Sequence, residues 1–241
     1  MTMPTNECIV CGSVLEYSVS TTKKRCVYCD AEYDANAECS NGHYVCDICH
    51  SSEAADVIMQ YCISTHEQDP IYSAQILMKH PSVKMHGPEH HFLVPAVLIA
   101  AYYSVQNELS SEGIIKKLTE ARNRAKNVLG GFCGFYGTCG AAIGVGIFIS
   151  LITNATPVSE ESWKLANLAT AQALEKIAVH GGPRCCKRDT FLALQSACTF
   201  LKRYFNVTLI QHHITCTFFR RNTQCRQTEC IYYPDTHMPV K

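Results

Sequence analysis

CIVCGSVLEYSVSTTKKRCVYCDAEYDANAECSNGHYVCDIC, residues 8–49, carries eight metal-donor side chains in four close pairs: Cys8/Cys11, Cys26/Cys29, Cys39/His43 and Cys46/Cys49. Two thiolates two residues apart can grip one tetrahedral ion, and two such pairs close a structural site. Four pairs therefore predict two ions. A segment of about fifty residues with so few large apolar side chains cannot build a sufficient core, so the ions must supply folding free energy. The histidine in the set points to zinc rather than to a rubredoxin-type iron.

Two wirings suit this spacing. Sequential wiring joins the first two pairs as a zinc ribbon. Interleaved wiring, first with third and second with fourth, gives a cross-brace. The short gap between His43 and Cys46 favours interleaving, because neighbouring knuckles then face different ions. CSNGHYVCDIC (39–49) looks like the middle of a RING finger. The overall ligand order departs from the usual RING set, which leaves a ubiquitin-ligase reading without support. Strand-like pieces at 14–19 and 25–28 lie between the knuckles. His50 reads as a neighbour of the second site or as a surface residue.

Past residue 50 the texture changes. The chain reads as mainly α: a small N-terminal two-zinc ribbon or cross-brace module over 1–50, then an all-helical domain over 51–241 with Gly/Cys loops and a cysteine-containing tail. Ser51/Ser52 with Glu53 opens a helix carried by apolar spacing over 54–65. Asp69-Pro70 caps a helix over 71–79, and His80-Pro81 ends it, because the residue before proline avoids the helical region. The loop SVKMHGPEHH (82–91) leads to an apolar helix over 95–105. Ser110/Ser111 with Glu112 starts a basic amphipathic helix that reaches 128, where Gly130-Gly131 stops it. GAAIGVGIFISLI (140–152) is strongly apolar but shorter than the roughly 20 residues a membrane span needs. It predicts a buried helix packed closely through Gly140, Gly144 and Gly146. Pro157, Ser159, Glu160 and Glu161 start another helix, to 179. A last helix covers 189–205, and the β-branched stretch 207–217 reads as a short strand.

Lysine plus arginine number 21 and aspartate plus glutamate number 21, so no global charge draws the chain to nucleic acid or an anionic membrane. Sixteen cysteines is a high count for 241 residues. MTMPTNECIV has no apolar stretch of signal-peptide type, and paired C-x2-C spacing suits metal in a reducing compartment. The expectation is a cytoplasmic chain. Neither a phosphate-binding glycine motif nor a serine-hydrolase elbow occurs in the sequence.

The thiols of the helical part form further sets. Cys133 and Cys139 lie in GGFCGFYGTCG (130–140), and Cys185-Cys186 in GGPRCCKRD (181–189), each just ahead of a helix. Arg184, Lys187 and Arg188 would favour thiolate over thiol. Together Cys133, Cys139, Cys185 and Cys186 supply the four thiolates of an iron–sulfur cluster or another soft-metal site, with Arg184 facing an anionic ligand. Cys216, Cys225 and Cys230, with His212 and His213 nearby, could hold a second cluster with one open iron, or a zinc with His213. In MHGPEHHF (85–92), His90 and His91 diverge by about 100° on a helix, so His86 with His90 is the better pair. These two histidines with Cys185 and Cys186 are the candidate catalytic groups, the imidazoles moving protons. Cys62 and Cys198 sit on helical faces as core. Lys116, Lys117, Arg122, Arg124 and Lys126 read first as a solvated face, and otherwise as a surface for RNA or an acidic partner.

CSNGHYVCDICH (39–50), HPSVKMHGPEHH (80–91), GGFCGFYGTCGAAIG (130–144) and GGPRCCKRD (181–189) together resemble an uncharacterised cysteine-rich family of anaerobic archaea and bacteria. That resemblance carries over no established reaction; it tilts toward metal and sulfur chemistry. Three functions follow from the residues. The first is a metal-binding protein with structural zinc and an iron–sulfur or soft-metal thiolate site, in redox or sulfur-handling chemistry on a small molecule or a protein. The second is a zinc-stabilised adaptor for a protein or RNA. The third is a metal-free thiol transferase.

Overall fold

The computed structural model describes residues 8, 10–46, 49, 53–107 and 110–234. The readings of His50 as a site neighbour and of Ser51/Ser52 as a helix start lie outside the described residues. A two-stranded antiparallel ribbon comes first, β1 (Leu15–Arg25) and β2 (Glu32–Cys39), with Leu15 opposite Cys39 and Arg25 opposite Glu32. The register slips between Tyr17 and Thr22. This corrects the two short pieces at 14–19 and 25–28. One long strand spans 15–25, Cys26–Cys29 is the knuckle turn, and the stretch that looked like a spacer is the partner strand. Its composition hid it: Asp34 and Asn36 interrupt the alternation.

Eight helices follow among the described residues: α1 (Ala54–Ser64), α2 (Pro70–Lys79), α3 (Glu89–Gln106), α4 (Ser111–Ala125), the single turn α5 (Phe132–Phe135), α6 (Gly140–Ile152), α7 (Glu161–Ala178) and α8 (Cys186–Phe205). Asp69 caps α2 by accepting from the backbone N–H groups of Ile71 at 2.7 Å and Tyr72 at 3.1 Å, ahead of Pro70 at the first helical position. Ser110 caps α4 through the Gly113 N–H.

The apolar helix α3 is the hub, packed against α1, α2, α4, α6 and α8. Nearly every side chain from Phe92 to Ala101 is buried on it. It starts earlier than the apolar run predicts, at Glu89, so His90 and His91 are helical. Pro95 inside it removes the donor that His91 O would have received. That carbonyl lies against Gly144, where a Cβ would come within 3.2 Å of it and 2.9 Å of Pro95 Cδ. Close approach also explains Gly146, whose added Cβ would lie 2.0 Å from Thr170 Oγ1. The short apolar helix is therefore a tightly packed core helix. No described helix is long and apolar enough to cross a membrane.

The stretch 207–217 is not a strand. Val207 and Leu209 are buried and Thr208 and Ile210 exposed, the alternation of a strand, but no neighbouring chain pairs with it among the described residues. It lies extended over the helices, pinned by His212, whose backbone N–H and ring Nδ1 both bond the fully buried Asp69 carboxylate. Beyond it the chain turns through Phe219–Arg221 and Gln227–Glu229, both single 3-10 turns.

Candidate metal centres and the thiol cleft

The ribbon gathers its eight donors into two groups that can each hold a metal ion. Cys8, Cys11, Cys39 and His43 form one, and Cys26, Cys29, Cys46 and Cys49 the other, with each group's donor atoms all within 4.8 Å of one another. The wiring is interleaved, because β1 and β2 carry the second knuckle to the far end of the ribbon from the first. Cys11 and Cys39 sulfurs are 3.6 Å apart, Cys29 and Cys46 sulfurs 3.9 Å, and Cys39 Sγ lies 3.4 Å from His43 Nδ1. A tetrahedral ion with metal–sulfur bonds near 2.3 Å would set its sulfurs ~3.8 Å apart. Backbone N–H groups point at the sulfurs: Val10 at Cys8 (3.4 Å), His43 at Cys39 (3.3 Å) and Cys46 at Cys26 (3.4 Å). Through residue 49, the only described buried apolar side chains other than cysteine are Val10, Tyr28 and Ala35. Tyr28 and His80 join this module to the helices. The Tyr28 hydroxyl donates to Ile76 O, its ring meets His80 edge-on at 4.9 Å, and His80 Nε2 lies 2.9 Å from Cys49 O.

All sixteen cysteines are unbridged. No third group of three or more donors closes to within 4.8 Å among the described residues, so the helical thiols are arranged differently. A cleft of about 660 Å³ is lined by Cys133 and Cys139 from the loop around α5, by Arg184, Arg188 and Asp189 from the start of α8, and by Glu175 of α7. Behind it, Cys133, Cys139 and Cys186 line a small cavity with His90 and His91. Cys185 is absent from both. It faces a different cavity, of about 20 Å³, together with Cys216, Cys225 and Cys230. The four-thiol set predicted from Cys133, Cys139, Cys185 and Cys186 is thus divided. The reason is local: α8 begins at Cys186, three residues earlier than its predicted start, and its N-cap Cys185 points to the other side.

The basic residues around the vicinal pair do not act as expected. Burial, then Asp189 and Cys185, push the Cys186 thiol up to about 11, and burial also raises Cys185. Lys187 Nζ turns inward to Met78 O (3.0 Å) and Val83 O (2.9 Å). Arg188 bonds Asp189 at 3.1 Å and Gly181 O at 2.8 Å. Arg184 alone of the three is exposed, at the cleft wall. Cys139 is pushed up to about 12, first by burial and then by Asp189.

His86 and His90 do not converge on one open site. His90 Nε2–H donates to Lys84 O (3.2 Å) and its Nδ1 accepts from Thr190 Oγ1 (3.0 Å), which uses both nitrogens inside the core. Burial, and then Lys187, hold it well below the usual histidine range, at about 3. His86 Nε2 pairs with Asn222 Oδ1 at 3.3 Å, and its buried Nδ1 has no hydrogen-bond partner among the described residues. His91, set aside on sequence, is the better placed imidazole. It donates from Nδ1 to Val128 O (2.9 Å), and its ring lies over Gly140, where a Cβ would come within 2.1 Å of it. Divergence from His90 is what turns it toward the thiol loop. Asp189 was missed because an acidic residue in a helix's first turn reads as a capping charge; it is only 4% exposed. Among the tail residues, His212 is committed to Asp69, and His213 is exposed.

Neither a curated protein nor a solved structure matches the chain. The family described as "Family of unknown function (DUF5714)" matches residues 58–233, a span that excludes the metal-donor ribbon and takes in both thiol-lined cavities and the cleft. By that match over most of its length, the chain belongs to the DUF5714 family.

Proposed function

We propose that the chain is a cytoplasmic metalloprotein in which two zinc ions fold the N-terminal ribbon, while the helical domain carries a soft-metal thiolate centre beside a cleft for a small molecule, in redox or sulfur-handling chemistry. The observation that carries this reading is the pair of interleaved donor quartets at tetrahedral spacing, in a module with almost no apolar core among its described residues. Three cysteines with one histidine, and four cysteines, are both closed structural sets for zinc, with no position left for substrate. Reaction chemistry then belongs to the helical domain. Its cleft of about 660 Å³ falls in the range of roughly 300–1,000 Å³ that small-molecule sites occupy. Cys133, Cys139 and the exposed Arg184 on its wall suit an anionic or sulfur-bearing ligand.

The adaptor reading has less support. Lys117 donates to Leu151 O and Asn154, Arg122 pairs with Asp56, and Arg124 with Glu120 and Ser150, so most of the basic helix is used inside the fold. The metal-free transferase reading needs an acidic thiol at Cys185 or Cys186, and burial raises both. Elemental analysis and native mass spectrometry of protein purified without oxygen test the proposal. Two zinc ions per chain are expected, one lost in Cys26→Ser and the other in Cys39→Ser. Folded protein free of metal at the ribbon would overturn it.

A further inference from the structure

Cys185, Cys216, Cys225 and Cys230 come from two regions far apart in sequence, yet they line one cavity of about 20 Å³. Among the described residues the tail holds no strand and only two single 3-10 turns, and its path brings three of those sulfurs to the cavity. Cys216 N–H donates to Tyr232 O at 2.7 Å, which closes the tail on itself. Cys225 N–H bonds Asn222 O at 3.1 Å across the turn that follows the first 3-10 turn, and Cys230 N–H bonds Gln227 O at 2.8 Å, ending the second.

The sulfurs are treated as acceptors. Phe218 N–H points at Cys216 Sγ (3.4 Å) and Gln227 N–H at Cys225 Sγ (3.3 Å), the same two-residue geometry that Val10 N–H makes with Cys8 in the ribbon. Asn222 Nδ2 points at Cys185 Sγ from 3.7 Å. Donors of this kind support metal-bound thiolates and tune iron–sulfur potentials.

Spacing decides what the site takes. The ribbon sulfurs stand 3.6 and 3.9 Å apart, as one tetrahedral ion requires, whereas no three of these four gather within 4.8 Å. Sulfurs set wider than one tetrahedral ion requires suit a multi-iron core. Four thiolates and no histidine are the usual complement of a cubane cluster. Arg188 and Arg226 also line the cavity, each paired with a carboxylate, Asp189 and Glu229.

We propose that Cys185, Cys216, Cys225 and Cys230 ligate one [4Fe–4S] cluster. This rests on the metalloprotein reading above and replaces the thiol set expected from sequence. Full thiolate ligation leaves no open iron, so the cluster moves electrons rather than binding substrate. Arg188 lines both this cavity and the 660 Å³ cleft, which sets the cluster beside the ligand site.

The test is reconstitution of the full chain with ferrous iron and sulfide under anaerobic conditions, followed by iron, sulfide and zinc analysis and by EPR after reduction with dithionite. About four iron and four sulfide per chain are expected alongside two zinc, with a reduced-cluster EPR signal. Cys216→Ala and Cys230→Ala each lose the cluster while keeping both zinc ions and helical circular dichroism. Cys133→Ala/Cys139→Ala keeps it. Loss of iron in Cys133→Ala/Cys139→Ala with retention in Cys216→Ala would overturn the assignment, as would a third zinc or two disulfides in place of iron. Where a tail variant does not fold, Cys185→Ser decides, because a serine-ligated cluster keeps its iron and changes its EPR signature. Absence of zinc from the ribbon would overturn the parent reading instead, whatever the iron content.

Discussion

In the ribbon, sulfurs lie 3.6 and 3.9 Å apart, and Val10, Tyr28 and Ala35 are the only buried apolar side chains other than cysteine among the described residues. In the helical body, thiols line cavities at the margin of a core built from α3, α6 and α8. The difference teaches which way causation runs. Where no core exists, donor spacing dictates the backbone, so the donors must be close in sequence and regular in pattern. Where packing has already fixed the backbone, thiols meet wherever the fold brings them, and sequence spacing carries little information.

Removing the ribbon's metal is the hardest test of that contrast. Structural zinc contributes on the order of 10–16 kcal/mol of apparent binding free energy, more than a module of this size gains from packing. A strong chelator should therefore erase the amide NMR dispersion of residues 10–46 while leaving helical circular dichroism and its thermal transition in place. Survival of native ribbon resonances after chelation would mean that packing, not metal, holds the module.

The converse perturbation targets packing. Gly140→Ala sets a Cβ 2.1 Å from a His91 ring that is pinned to Val128 O. Overpacking of this kind costs on the order of 1–3 kcal/mol. Gly146→Ala meets the Thr170 hydroxyl, which can rotate away, and then only looser neighbours, the Ala166 carbonyl at 3.3 Å and Thr170 Cβ at 3.4 Å, so its cost is lower. Thermal melts should rank the two in that order with zinc content unchanged. Equal melting temperatures would show that the α3–α6 contact is slack.

Legibility in the sequence follows the same division. The eight ribbon donors, the Asp69-Pro70 cap and the limits of α6 could all be read, because each is a local rule: ligand spacing, a cap, an apolar run ended by polar residues. The cleft could not, and of the tail set only Cys216, Cys225 and Cys230 could, since the sequence groups Cys185 with other thiols. Lys187 and Arg188 read as charges that favour thiolate and Asp189 as the start of a helix, yet each is at most 5% exposed, its charge met by carbonyls or by its neighbour. A three-residue error in the start of α8 then puts Cys185 with the wrong partners. Strand β2 escapes notice for a weaker reason: in a two-stranded ribbon with little core behind it, alternation has nothing to enforce it.

Acid separates the halves again. His90 is buried and neutral, with its folded value near 3 against about 6.5 when unfolded. The folded state binds fewer protons, so this contribution is complete above pH 6.5 and is lost as pH falls from there toward 3. Its slope is at most about 1.4 kcal/mol per pH unit. Denaturation followed by helical circular dichroism should show this decline, and His90→Gln should flatten it. Zinc release, set by thiolate protonation, should keep the same pH midpoint in that variant. A midpoint that moved with His90 would couple the halves and weaken the contrast.

The smallest effect guards against a rival account of the ribbon. Lys23–Asp34 at 3.0 Å and Arg25–Glu32 at 3.1 Å bridge β1 and β2, and such pairs could be credited with holding the strands. Lys23 and Asp34 side chains are 65% and 64% exposed, so water screens their attraction and ordering two long side chains opposes it. A double-mutant cycle of Lys23→Ala and Asp34→Ala should give a coupling of roughly 0.2–1 kcal/mol, with both zinc ions retained. A coupling well above that range, with stability lost while zinc remains, would mean that surface charge closes the ribbon. Because the pair sits between the two donor quartets, a small value leaves the strand ends to be held by the metals, the backbone ladder and the less exposed Lys24–Glu38 pair, of which the metals are the strongest.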